Sequence, residues 1–135
     1  MTQRAPADGS VSVELSIPVQ ADLVVLARLT AATVAGRAGF GVEDIEDLRL
    51  AVEELCLSLV RPDDDGRLHL TFECDSAAIS VDCWLETKEE VDRSARQADD
   101  LSLRILDALV DDHGRELDDG RPRAWLRKCR DDSSE

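Results

Sequence analysis

Glu54 and Ser58 are the two residues whose types and spacing come nearest to a reactive pair. They stand four apart in the stretch Gly41 to Val60. If that stretch is helical, they project from one face, one above the other. A carboxylate there can orient or deprotonate an attacking group. A hydroxyl there can ligate a hard cation. The other usual chemistry is scarce. There is no Gly-x-Gly-x-x-Gly and no Walker phosphate loop. Ser58 has no nearby His to activate it as a nucleophile. His69 falls out of phase with Leu68 and Leu70, so it reads as the solvated residue of a strand. His113 reads as a cation at a helix C-terminus. Cys56, Cys74, Cys83 and Cys129 lack Cys-x-x-Cys spacing, which argues against a metal site and for buried free thiols. Only Cys129, between Lys128 and Arg130, has the local positive charge that a reactive thiolate needs, so a redox sensor is a distant reading.

The elements that would position these residues can be read from periodicity. Ile45, Leu48, Val52, Leu55, Cys56 and Leu59 recur at steps of three and four, with Glu46, Asp47, Glu53 and Glu54 opposite, and Pro62 ends the helix. Val11, Val13, Leu15 and Ile17 alternate with polar residues as a strand, and Pro18 places it at an edge or a strand end. Asp22 is a candidate N-cap for a helix carrying Leu23, Leu26, Ala27, Thr30 and Val34, in which Arg28 and Arg37 are the only charges before Gly39. Leu68 to Cys74 and Ile79 to Leu85 alternate on either side of Asp75-Ser76, which predicts an antiparallel hairpin. Thr87 to Asp100 is charged and aperiodic. A strongly apolar helix from Leu101 is expected to run to Gly114, followed by a short strand around Ala124 to Leu126 and a further one near Glu116 and Leu117. Together these predict an α+β two-layer sandwich: a mixed, mostly antiparallel sheet of four or five strands with three helices on one face. Residues 1–9 read as a disordered arm, 10–130 as a single domain and 131–135 as a polar tail.

Charge narrows the partners. Sixteen Lys and Arg against thirty Asp and Glu give a net charge of −14 and a pI near 4.4. Such a surface repels DNA, RNA and anionic lipid but accepts a basic protein. No run approaches the ~20 apolar residues of a membrane span, and no secretory leader is evident, so a cytoplasmic location is expected. Aromatics make up only 3% of the chain, which leaves Leu, Val, Ile and Ala to fill the core.

The stretch from Ile17-Pro18 to Pro62, and above all Asp44-Ile45-Glu46-Asp47-Leu48-Arg49-Leu50-Ala51-Val52-Glu53-Glu54-Leu55-Cys56, resembles the anti-sigma-factor serine kinases, members of the histidine-kinase-like (GHKL) ATPase superfamily. The resemblance implies that Glu54 falls on the family's general base and Ser58 on its Mg²⁺-holding Asn. It also implies that Arg28 falls on an Arg that contacts the sigma factor, and that the first strand and helix lie near a homodimer interface. The nucleotide motifs depart from the family. Ser has a shorter stem than Asn. The Asp-x-Gly-x-Gly expected after the third strand is replaced by Leu85-Glu86-Thr87-Lys88, leaving Asp82 as a polar-face strand residue. The Gly-x-Gly expected at the late helix is replaced by Ala98-Asp99-Asp100-Leu101, where Asp99 and Asp100 would repel a triphosphate by of order 4 kcal/mol per charge pair at about 4 Å. The resemblance therefore implies an anti-sigma factor that sequesters a sigma factor as a homodimer and needs no cofactor. The alternatives are an active serine kinase that uses ATP and Mg²⁺ on an anti-sigma antagonist, and a non-enzymatic scaffold for another regulator.

Overall fold

The computed structural model describes residues 10–60, 65–87 and 100–131. Strand β1 (Val11–Pro18) leads through a short 3-10 turn (Ala21–Leu23) into helix α1 (Val24–Arg37), and helix α2 (Val42–Leu59) follows at once. The hairpin β2 (Gly66–Cys74) and β3 (Ala78–Thr87) comes next, then helix α3 (Asp100–Leu109) and a second hairpin, β4 (Asp112–Asp118) and β5 (Arg121–Cys129). The sheet order is β1-β2-β3-β5-β4. Every pairing is antiparallel, so the mixed character expected of the sheet is absent among the described residues. The α+β sandwich is as expected, and β1 lies at the edge, where Pro18 can forgo a ladder hydrogen bond.

Period-two alternation sorts the sheet into two faces. Leu68, Leu70 and Phe72 of β2, Val81, Cys83 and Leu85 of β3, and Ala124 and Leu126 of β5 are buried under the helices. They meet Ala27, Ala31, Val34 and Ala35 of α1 and Leu48, Ala51, Val52, Leu55 and Leu59 of α2. Alanine on α1 lets the two helices approach closely, which suits a core with so few aromatics. On the opposite face Ser16, His69, Trp84, Arg123 and Glu116 stand in one cross-strand row.

Several local expectations are corrected. Asp22 lies inside the 3-10 turn, and α1 is capped at Leu23 without a side-chain hydrogen bond. Helix α3 stops at Leu109 rather than Gly114, because Asp112 to Asp118 pair with β5. Gly114 is therefore no helix terminator. It sits opposite Trp125, and a Cβ there would come within 2.7 Å of the indole. His113 is a β4 residue whose Nε2 lies 2.6 Å from Asp107 Oδ1. His69 is not simply solvated: its ring stacks on Trp84 at 4.1 Å between centroids and its Nε2 lies 2.8 Å from Glu86 Oε1. Asp82 is the polar-face residue expected, held by Arg123, which also bonds Glu116.

Lys128 is the least expected member of the interior. It follows Ala124 and Leu126 on the buried face of β5 and is 8% exposed. Its Nζ donates to the Leu109 carbonyl at the end of α3 (2.8 Å) and lies 3.7 Å from Asp44 and 3.9 Å from Asp47 at the start of α2. One buried ammonium thus ties the last strand to the C-terminus of α3 and the N-terminus of α2. It satisfies a terminal carbonyl that no intrahelical donor reaches.

Candidate functional site

Helix α2 carries the candidate pair. Its first turn holds Glu43 and Asp44, where the helix dipole favours carboxylates. Leu48, Val52, Leu55 and Leu59 bury the stripe facing the sheet. Glu54 emerges on the flank facing α3, half-buried, and lines a groove of about 510 Å³ with Leu50, Glu53, Leu57, Ile105, Ala108 and Leu109. The groove is therefore apolar along both walls and carries two carboxylates. No Lys or Arg is among these lining residues.

Ser58 follows Glu54 by one turn of the same helix. Its Oγ donates to the Leu55 carbonyl at 2.7 Å, back along its own helix. Its own carbonyl accepts a hydrogen bond from Arg115 Nη1 of β4 at 3.2 Å. The hydroxyl that stands where the resemblance puts a Mg²⁺-binding amide thus has its proton directed along the helix. Asp100 is the first residue of α3 and is exposed, and Asp99 lies outside the described residues. Thr87 ends β3, and residues 88–99, where a nucleotide lid would run, also lie outside them. Among the described residues no group of three or more His, Cys, Asp and Glu is placed to hold a metal ion.

Arg28 lies on the seam between α1 and α2. Its Nη1 donates to Glu53 Oε1 at 3.1 Å, and the two side chains are 30% and 37% exposed. Arg49, one turn before Glu53, bonds Glu46 on the same helix at 3.3 Å. The Nε of both arginines is shielded from water without a hydrogen-bond partner among the described residues. Two guanidinium groups with a spare donor each are thus paired to α2 carboxylates, and α1 also exposes Val25 and Leu29.

The thiols separate by burial. Cys56, Cys74 and Cys83 are buried and Cys129 is partly exposed. Burial pushes the Cys83 thiol well above its ordinary range, and its contact with Cys56 across the α2–β3 interface adds to the shift. Burial, then the charge of Asp75, raises Cys74. Cys129 has its positive neighbour in Arg127, whose Nη1 lies 3.2 Å from Sγ, not in Lys128 or Arg130. Lys128 turns inward to Leu109, and Arg130 donates to the Ala38 carbonyl.

Comparison with known proteins bears on this geometry. No family model matches the chain. Proteins named serine-protein kinase RsbW from Bacillus cereus (strain AH187), Bacillus thuringiensis (strain Al Hakam) and Bacillus anthracis (strain CDC 684 / NRRL 3495) are each 40% identical to it over 63 residues, which is 44% of this chain and 39% of theirs. Over that stretch the chain is similar to the RsbW serine-protein kinases. That bears out the family resemblance read from α2. The match spans well under two thirds of the RsbW length, so the activity of the whole RsbW protein does not pass to this chain by homology alone.

The family resemblance pointed to Glu54, Ser58, Asp99, Asp100 and Arg28 and did not point to the groove. The signal was present. Leu50 and Leu57 stand seven apart on the flank of α2 away from the core stripe, and they are 53% and 39% exposed. A second apolar line on a helix already buried on one face calls for a second neighbour, here α3. No helix of the described residues is long and apolar enough to cross a membrane.

Proposed function

We propose that this protein is an anti-sigma factor that sequesters a sigma factor by protein–protein binding, as a cytoplasmic homodimer, without using its nucleotide site. The observation that carries the reading is the environment of Glu54. At the position of the family's general base, the walls are leucine, isoleucine and alanine, and the other ionised residue among the described lining residues is a second carboxylate. A magnesium triphosphate needs a cation ligand beside the base and backbone donors or cations for the phosphates. Here Ser58, on a shorter stem than an Asn, has its hydroxyl turned back along its own helix to donate to Leu55, and α3 opens on Asp100. The described residues fit that group poorly. Sigma factors bind DNA through basic surfaces, and a chain of net charge −14 is suited to cover one. Arg28 is the residue assigned to the contact, because the family resemblance places it there and its side chain is 30% exposed on the α1–α2 seam.

One observation favours a second reading. Glu54 does line a groove between α2 and α3, which is where a serine kinase of this family would need its base. On that reading the protein phosphorylates an anti-sigma antagonist with Mg-ATP.

Affinity capture on the tagged protein from extracts of its own organism, with and without Mg-ATP, separates these. A sigma factor captured equally in both conditions, and lost with Arg28→Ala, supports sequestration. Capture that requires Mg-ATP supports the kinase. Capture of another regulator and no sigma factor would make the protein a scaffold.

A further inference from the structure

We infer that the groove between α2 and α3 receives the apolar face of a positively charged amphipathic helix from a partner protein. The inference rests on the protein acting by partner binding, but not on the partner being a sigma factor.

The first ground is shape. Leu50 and Leu57 of α2 and Ile105, Ala108 and Leu109 of α3 leave a cleft of about 510 Å³ at the outer surface of the helical layer. Leu50 and Leu57 are two turns apart, roughly 10 Å along the axis, and α3 with its ten residues is roughly 15 Å long. That length accommodates a guest helix whose anchors recur at i, i+3 or i+4, and i+7, which is how an amphipathic helix enters a groove. Exposed leucine extends the apolar strip beyond the cleft, with Leu101 of α3 66% exposed.

The second ground is charge. Of the seven described lining residues the only ionised ones are Glu53 and Glu54. Glu53 is shared with Arg28, while Glu54 has no basic partner among the described residues. A half-buried carboxylate beside an apolar wall is costly to cover with neutral surface, because covering it removes its water. A lysine or arginine flanking the guest's apolar face would supply the missing partner, and its stem would lie along the leucines. An acidic helix would place like charges together and be rejected.

The test is fluorescence anisotropy of the full chain against three dye-labelled 18-residue peptides. One is a Leu/Lys helix with Leu at i, i+3, i+4 and i+7. One has the same composition scrambled so that no face forms. One is the Leu/Glu analogue of the first. The expected result is binding of the first alone, weakened at least tenfold by Leu57→Asp and by Leu50→Asp, both at exposed sites that leave the core intact. Equal binding of the scrambled peptide, or no effect of either substitution, would overturn the inference. So would displacement of the peptide by Mg-ATP, which would make the groove a nucleotide site. A dimer that Leu57→Asp converts to monomer, with no peptide bound, would also overturn it, by making a second copy of this chain the occupant. Sigma-factor capture run on the same variants keeps the two proposals apart. If Leu57→Asp loses the peptide but keeps the sigma factor, the groove serves a different partner. If the peptide never binds while Arg28→Ala still abolishes capture, only the groove assignment fails.

Discussion

Replacing Arg28 by alanine separates a binding residue from a structural one, and the structure fixes what each alternative costs. The Arg28–Glu53 pair, at 3.1 Å with both side chains about one third exposed, is a surface ion pair. Such pairs contribute about 0.2–1 kcal/mol once side-chain entropy and solvent screening are counted. Truncation also removes a buried Nε that has no partner, which offsets part of the loss. The net destabilisation should stay below about 1 kcal/mol. With an unfolding entropy of about 2.1 cal/mol/K per residue, a 135-residue chain shifts its Tm by about 3.5 °C per kcal/mol, so Arg28→Ala should melt within about 3.5 °C of the parent. An interface arginine, by contrast, costs about 2 kcal/mol or more when truncated, a loss of about 30-fold in affinity. Urea unfolding and sigma-factor titration on one preparation read both quantities. Glu53→Ala is the control, since it breaks the same ion pair and leaves the guanidinium free for the partner. A fall in stability above about 2 kcal/mol would refute the reasoning, because Arg28 would then be holding α1 to α2. Unchanged affinity in a stable Arg28→Ala protein would remove Arg28 from the site.

Three further outcomes follow from the fold. Lys128→Met should lower the unfolding free energy by about 2–3 kcal/mol in urea titrations, because it leaves the Leu109 carbonyl unpaired and Asp44 without its cation; a neutral result would show that Lys128 does not pin α3 to α2. Gly114→Val should destabilise by more than about 2 kcal/mol, since its Cβ would meet the Trp125 ring at 2.7 Å, with loss of near-ultraviolet indole signal as the readout. Stability should also fall as pH rises above 9.0, the ordinary value for a cysteine thiol, since Cys83 and Cys74 stay protonated in the fold while they ionise in the unfolded chain. The sign is that of a raised folded-state pKa: full stability below the unfolded value, lost as pH climbs toward the folded one. With no tyrosine in the chain few other groups titrate there, so Cys83→Ala should flatten the profile between pH 8 and 10.

Much of this architecture was legible because its signals are local. The α2 stripe from Ile45 to Leu59, the alternation of β2 and β3 around Asp75, and Pro18 at a strand end each state their structure within a few residues. Asp75 closes its turn by accepting from the backbone N–H of Ala77 and Ala78, which also holds its carboxyl below the usual range. What was not legible depends on partners distant in sequence. Asp112 to Asp118 has almost no apolar residue to alternate, so only its position beside β5 makes it a strand of full length. Lys128 reads as a surface charge until Leu126 and Ala124 fix the phase of β5 and turn it inward. His69 and Trp84 become a stack only through the β2–β3 register. The groove needed the placement of α3 against α2, which no spacing within either helix specifies. The family resemblance supplied Glu54 and Ser58 as a pair. The structure adds what neither spacing nor resemblance gave, the groove that Glu54 lines and the Leu55 carbonyl to which Ser58 donates.

The most direct test of the central claim is thermal unfolding of the full chain with and without millimolar Mg-ATP, with Mg-ADP in parallel. A ligand at 100 times its Kd adds about 2.7 kcal/mol of stability. For 135 residues that is a rise of roughly 9 °C in Tm. A protein that acts by binding alone, with Asp100 opening α3 and Glu54 set in an apolar groove, should show no shift. A clear rise with either nucleotide would contradict the account and restore a magnesium nucleotide to the groove.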